Sequence, residues 1–305
     1  MPEGYTHLRC AHRAARALGL EQDLVQAAFD TGANGPDILF CYQVWKPAAK
    51  REHPLPAFGG RMHEENTGAF LRALIARADT PARRSYALGF VCHYAADGVL
   101  HPYVERLTMP GQLYSEPGGH GYLEIALDSE LHRQDTGDAA VPVAHCCPLP
   151  EPAVLDELVS LLGGAIRAAY GEDFPAGALR DAFVHSTKVR GLFVCRAAPK
   201  RWLLAALEPL FGKKGTITGH ITPARLKPGL PEEWQHPVSG ETIRAGVPAL
   251  LEQAEQRCGL YMAACRAHWS GAMTAQELAA VLGSRSYVTG LEDARSTGEQ
   301  SVKKR

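Results

Sequence analysis

The segment His93-Tyr-Ala-Ala-Asp97-Gly-Val-Leu-His101 carries the densest chemistry in the chain. At 3.6 residues per turn, positions i, i+4 and i+8 fall along one helix face, so two imidazoles and a carboxylate line up there. Imidazole is a borderline ligand and carboxylate a hard one, and the combination suits Zn2+. Phe90, Val91 and Tyr94 flank the stripe, so it is expected to be buried or to line a cleft. Buried polar groups are costly unless satisfied, and holding a metal satisfies them. The plainer alternative is a His–Asp hydrogen bond with His101 capping the helix before Pro102.

Further donors stand elsewhere in the first 130 residues. His120 precedes Glu124 by four residues at the start of a predicted helix, which is also how an exposed i,i+4 pair reads. Asp37 follows the rigid turn Asn34-Gly35-Pro36, where aspartate commonly serves as a turn or capping residue. His63 follows Gly59-Gly60-Arg61-Met62 just ahead of a predicted helix, and His7 faces the apolar stripe of the first one. Alone, each of these reads more readily as structural than as ligating. Their order along the chain is the stronger signal.

The elements that must position these groups read as helices joined by Gly/Pro loops, with no convincing alternating strand. Thr6 is predicted to cap a first helix that stops at Gly19, and a second covers 21–30 before the break at 32–36. Helices follow over 66–78, from Thr80-Pro81 to about Leu100, over 123–132, and over 152–170, where Leu155, Leu158, Leu162 and Ile166 share a face. More are expected near 178–190, 200–211, 243–268 and 274–282. One all-α, multi-helix domain over 1–290 with a flexible polar tail over 291–305 is the economical reading.

Composition narrows the function. The chain has 305 residues, 46 % hydrophobic and 21 % charged, with net charge −1, so it is globular and its bulk charge does not point to nucleic acid. Its eight cysteines show no CxxC spacing and are expected as reduced, packed thiols. The first twenty residues carry Glu3, Arg9, Arg13 and Arg16 without an apolar run, and no segment is apolar for long enough to span a bilayer, so a cytoplasmic location is expected. Between Arg196 and Lys227 seven basic residues stand against Glu208 alone, with Trp202 and Phe211 interleaved. That stretch either meets phosphate or an anionic membrane, or is a solvated face balancing the acidic residues of 116–138. Trp234 is placed over the site rim.

Taken together, Tyr5-Thr6-His7, Gly35-Pro36-Asp37-Ile38-Leu39-Phe40, Met62-His63, Cys92-His93-Tyr94-Ala95-Ala96-Asp97, His101-Pro102-Tyr103 and His120 with Glu124 resemble the zinc-dependent phospholipase C family. That all-helical fold is shared with fungal zinc nucleases that cut single strands. The match covers roughly residues 5–130 and, more loosely, the chain to about 270. The resemblance implies Asp37, His63, His93 and Asp97 as ligands of a first zinc and His101, His120 and Glu124 of a second. It implies His7 and Asp97 as part of a third, with Asp97 bridging. In secreted members a processed N-terminus completes the third ion. This chain instead begins Met1-Pro2-Glu3-Gly4, so two ions are expected.

Clustered divalent ions suit phosphoester hydrolysis by metal-activated water, with Asp37 as ligand or general base and Asp128, one turn beyond Glu124, orienting a ligand imidazole. The expected activity is a phospholipase C-like phosphodiesterase acting on a phosphoester, phospholipid included. A single-strand nuclease or nucleotidase on the same site, and a non-catalytic metal-stabilised binding module, are the alternatives. A paired His-Asp doublet and an HExxH helix are both missing, which sets aside two other metal-dependent hydrolase classes.

Overall fold

Helix α1 (Gly4–Ala17) begins two residues before its expected cap, and Thr6 lies buried inside its first turn. The N–H groups of Tyr5 and Thr6 are received by Asp128 at 2.9 and 2.8 Å, and Thr6 Oγ1 donates to the same carboxylate. A carboxylate reaching in from another helix thus meets the positive end of the α1 dipole. The computed structural model describes residues 4–211 and 214–292, Phe211 by its backbone only.

The predicted second helix is divided into a 3-10 turn at Glu21–Asp23 and α2 (Gln26–Gly32). A 3-10 segment, Gly35–Cys41, then carries Asp37. Helix α3 (Leu55–Glu64) runs straight through Gly59-Gly60, so His63 sits in its last turn rather than ahead of a helix. Glycine costs helix propensity, but here it serves packing: a Cβ on Gly59 would stand 3.2 Å from the Cβ of Leu39.

Helices α4 (Thr67–Ala76) and α5 (Pro81–Thr108) follow. The latter opens as predicted, with Thr80 Oγ1 accepting the Arg83 N–H at 3.2 Å. It continues through Pro102 to Thr108, about two turns past its expected end. Pro102 has no N–H, so the Gly98 carbonyl loses its helical donor. Gly290, at φ +66, lies so close to that carbonyl that a side chain there would collide with it. Residues 85–97 of α5 are buried without interruption, as suits a helix that is apolar around its circumference.

Around α5 pack α1, α2 and α10 (Val247–Trp269), with α6 (Gly119–Thr136) and α7 (Pro152–Tyr170) also against it. Helix α7 has the predicted ends, with Pro152 in its first turn and Gly171 at φ +69 closing it. Helices α8 (Ala176–Phe193) and α9 (Ala198–Phe211) follow. Helix α11 (Ala275–Leu282) starts from a capping box between Thr274 and Glu277.

Helix α10 starts later than predicted because Thr242–Ile243 pairs with Trp234–Gln235 in a two-residue antiparallel hairpin. Trp234 is a core residue and not a rim residue. Its Nε1 donates to Ala245 O at 2.9 Å and its ring lies 5.3 Å from that of Tyr103. The fold is all-α, and its main apolar core runs from Leu8 to Tyr287. None of the eight cysteines forms a disulfide, and all but Cys41 are buried. Among the described residues no helix is long and apolar enough to cross a membrane. Of the predicted tail, Leu291 and Glu292 are tied down, with Glu292 Oε2 accepting the Ser284 N–H at 3.0 Å, and 293–305 lie outside the described residues.

Candidate metal centre

Two glycines set the position of His93. A Cβ on Gly32 would strike the Tyr86 carbonyl and one on Gly89 the Phe29 carbonyl, so α2 and α5 cross with their backbones in contact. The crossing brings the Ala33 carbonyl within 3.2 Å of His93 Nδ1. The same arrangement recurs twice. His63 Nδ1 lies 2.7 Å from Gly59 O, one turn back on α3, and His101 Nδ1 lies 3.3 Å from Tyr287 O on the loop after α11. In each case Nδ1–H donates to a backbone carbonyl, which fixes the tautomer and leaves the Nε2 lone pair turned inward. Tyr287 is itself held by its N–H, which donates to His63 O at 2.7 Å, so one residue ties α3 to α5.

Asp37, His63, His93 and Asp97 bring one donor atom each to within 4.8 Å of one another, all buried. His63 Nε2 is 3.1 Å from Asp37 Oδ1, and His93 Nε2 is 3.7 Å from it. Asp97 Oδ2 is 3.1 Å from His93 Nε2, while its Oδ1 faces His7 Nε2 at 3.3 Å. The His7 ring stacks on that of His93 at 4.1 Å.

A second group, His101, Glu105 and His120, likewise brings one donor atom each to within 4.8 Å of one another. Glu124 joins it: its Oε1 is 2.8 Å from His120 Nε2 and 3.5 Å from His101 Nε2. Glu105 was not among the predicted donors. The clue is the stripe itself, since 93, 97, 101 and 105 are spaced by four, but α5 was expected to have ended at about Leu100.

The residues suit a divalent cation. Neither oxygen of Asp97, neither ring nitrogen of His7 and not Nε2 of His93 makes a hydrogen bond among the described residues, although all are buried. No described Lys or Arg forms an ion pair with Asp37 or Asp97, whose side chains are 3 % and 0 % exposed. Two buried carboxylates whose described partners are imidazoles alone are costly, and a cation held by nitrogen and oxygen donors relieves them. Burial pushes the Asp97 carboxyl up, but the imidazoles of His93, His101 and His7 outweigh it and hold it well below the usual range. Burial also pushes Asp37 up, and His93 and His63 outweigh it in turn. His101 is lowered by burial to about 3, and His7 by burial and by His93, so both rings are neutral near pH 7 and offer lone pairs.

Asp37 is no helix cap: the 3-10 segment that carries it has no side-chain cap, and its carboxylate faces the imidazoles. The partners that Asp128 shows among the described residues are Tyr5 and Thr6 rather than an imidazole. Its carboxylate holds the first turn of α1, and so the helix that presents His7. The basic stretch after Arg196 is in part the balancing face weighed above. Arg196 pairs with Asp138 at 2.5 Å, and Lys227 pairs with Glu116, with Lys213 outside the described residues.

A cavity of about 750 Å³ opens over the donors, lined by Asp37, His63, His101, Glu105, His120 and Glu124 on one side. The other walls are largely apolar, with Phe40, Trp45, Leu192, Phe193, Leu204 and Leu207, and also carry Arg190, Thr216 and His220.

Gly35 tests the positioning. It has φ +51, and a Cβ there would collide with the His93 ring. Gly35→Ala is expected to cost about 1–2 kcal/mol in backbone strain alone and to displace His93. Metal content by mass spectrometry should fall while helical content by circular dichroism is kept. Metal retained at the wild-type level would show that His93 is not a ligand.

Against known proteins, the sequence profile of the family described as zinc dependent phospholipase C matches residues 6–171. Comparison with curated proteins and with solved structures gave no match.

Proposed function

The chain belongs to the zinc-dependent phospholipase C family, and from that premise we propose that it is a phospholipase C-like phosphodiesterase. Its substrate on this reading is a phosphoester carrying an apolar body, with phospholipid as the simplest case. The observation that carries the reading is the trio of histidines whose Nδ1 atoms are anchored on backbone carbonyls, with the Nε2 atoms of His63 and His93 turned to Asp37 and that of His101 turned to Glu124, beside a cavity with largely apolar walls.

Asp37, His63, His93 and Asp97 would hold one zinc, and His101 and His120 with Glu105 and Glu124 a second. His7 stands where it could share Asp97 with a third. When bound, zinc supplies positive charge that neutralises the phosphodiester oxygens, lowers the pKa of water towards 7 and stabilises a leaving alkoxide. The chain's own residues do the rest. The first donor set is wholly buried, whereas Glu105 and His120 are partly exposed, so the second set is the one most open to substrate. Asp37 reaches the cavity wall, where its carboxylate can take a proton from an attacking water. The Gly59, Ala33 and Tyr287 carbonyls keep three imidazoles in the ligating tautomer. Phe40, Trp45, Leu192 and Phe193 receive the apolar part of the substrate and exclude water from the reacting phosphate.

Largely apolar walls, with Arg190 and His220 as the basic side chains beyond the donor sets, argue against the nuclease alternative, because a single-strand groove needs basic residues along its length. The test is direct. Purified protein is expected to contain about two zinc equivalents per chain, lost together with hydrolysis of bis-p-nitrophenyl phosphate and phosphatidylcholine on chelation. A stoichiometry near zero after expression with zinc would overturn the site. Zinc retained with no hydrolysis of any phosphodiester or monoester would leave the binding-module alternative in its place.

A further inference from the structure

Helix α9 is turned inside out for a surface helix. At 100° per residue, Ala198, Pro199, Trp202, Leu203, Ala205, Ala206, Pro209 and Leu210 occupy one continuous arc, and every one of them is exposed. Trp202 is 76 % exposed, Leu203 60 % and Leu210 78 %. The only acidic residue of the helix points the other way: Glu208 is buried and accepts the N–H groups of Ile217 and Thr218 at 2.8 and 2.7 Å. Surface helices normally carry their charges outward, and an apolar outward face of this extent marks a place where something docks.

We propose that this face of α9 docks on the surface of an anionic lipid bilayer, with the cavity opening beside it. Three observations favour lipid as the occupant. The first is chemistry, since the arc offers no donor or acceptor except the Trp202 indole N–H, which suits the headgroup boundary. The second is charge. Lys200 and Arg201 lie beside the arc and Lys214 is exposed beyond its end. Lys200 and Arg201 bond to the carbonyls of Val194 and Pro223, which leaves their charge uncompensated. The third is continuity. Leu204 and Leu207 of the same helix line the cavity, and its mouth carries Trp45 and Leu192, each 50 % exposed. Apolar surface therefore runs from the outside of α9 over the lip towards the metal donors. A second copy of the chain fits less well, because a symmetric contact through this face would bring like-charged margins together.

Docking does not rest on the hydrolytic reading, since an inactive chain with this helix should still bind. The full-length protein is sedimented with phosphatidylcholine vesicles with and without phosphatidylglycerol, alongside Asp37→Asn and the double variant Trp202→Ser, Leu210→Ser. Tryptophan emission and light scattering are recorded in parallel. Wild type and Asp37→Asn are expected to partition onto the phosphatidylglycerol vesicles with blue-shifted emission, less so at high salt. The double variant should partition at least about tenfold more weakly, with circular dichroism, metal content and hydrolysis of bis-p-nitrophenyl phosphate unchanged. Absence of wild-type partition onto either vesicle, or a double variant that binds like wild type, would overturn the proposal. So would a wild-type dimer that the double variant dissolves, which would make this face a contact between copies.

Discussion

Asp97→Asn is expected to lose about one zinc equivalent per chain and roughly 100-fold or more of the phosphodiesterase activity. Asp97 is the residue on which the most donors converge. Its Oδ2 lies 3.1 Å from His93 Nε2, 3.8 Å from His63 Nε2 and 4.0 Å from His101 Nδ1, while Oδ1 faces His7 at 3.3 Å. Two oxygens aimed at different imidazoles are what bridging two cations requires. Asparagine keeps the shape but replaces one oxygen with an NH2 that has no coordinating lone pair and donates a hydrogen bond to a neighbouring Nε2 instead.

The stability change should be much larger with metal than without. A ligand at a hundredfold its dissociation constant stabilises by about 2.7 kcal/mol, so zinc-loaded Asp97→Asn should melt several degrees below wild type. With zinc chelated, the buried carboxylate is compensated only by the imidazoles of His93, His101 and His7, and the variant should fall less far below wild type. Melting curves with and without chelator read this difference. A purely structural Asp97 would be destabilised equally in both, and equal hydrolysis of bis-p-nitrophenyl phosphate by variant and wild type would end the shared-carboxylate mechanism.

Local signals in the sequence transferred well to the structure. Thr80-Pro81 starts α5, Pro152 and Gly171 bound α7, and Thr274 with Glu277 starts α11, each through bonds within one turn of the chain. The His93, Asp97 and His101 stripe was legible for the same reason, since helical period alone aligns it. What was not legible depended on distant neighbours. Gly59-Gly60 reads as a loop until Leu39 packs on it, and Pro102 reads as a stop until the Gly290 turn settles on the Gly98 carbonyl. The misjudged end of α5 hid Glu105. Asp128 was assigned to an imidazole because it shares a face with Glu124, whereas α1 comes to it from more than a hundred residues away. The carbonyls of Ala33 and Tyr287 that orient His93 and His101 have no side-chain signature, so residue types revealed the donors but not what aims them.

Asp37 separates a ligand from a catalytic base on the same carboxylate. It is carried by a 3-10 segment without a side-chain cap, its carboxylate is 3.1 Å from His63 Nε2, and it reaches the cavity that Asp97, at 0 % exposure, does not line. A capping aspartate changed to asparagine would cost about 1 kcal/mol at most and leave turnover intact. Asp37→Asn is instead expected to lower kcat by roughly two or more orders of magnitude with the fold retained. Metal content then divides the roles. His63, His93 and Asp97 remain as three donors, so an ion can stay bound without Asp37. Zinc held at the wild-type level with kcat lost would mean that Asp37 moves a proton at the cavity wall. Zinc lost in proportion to activity would mean that it is chiefly a ligand. Unchanged kcat would remove it from the site altogether, because a buried carboxylate with no cap to make and no proton to move has no part in the reaction.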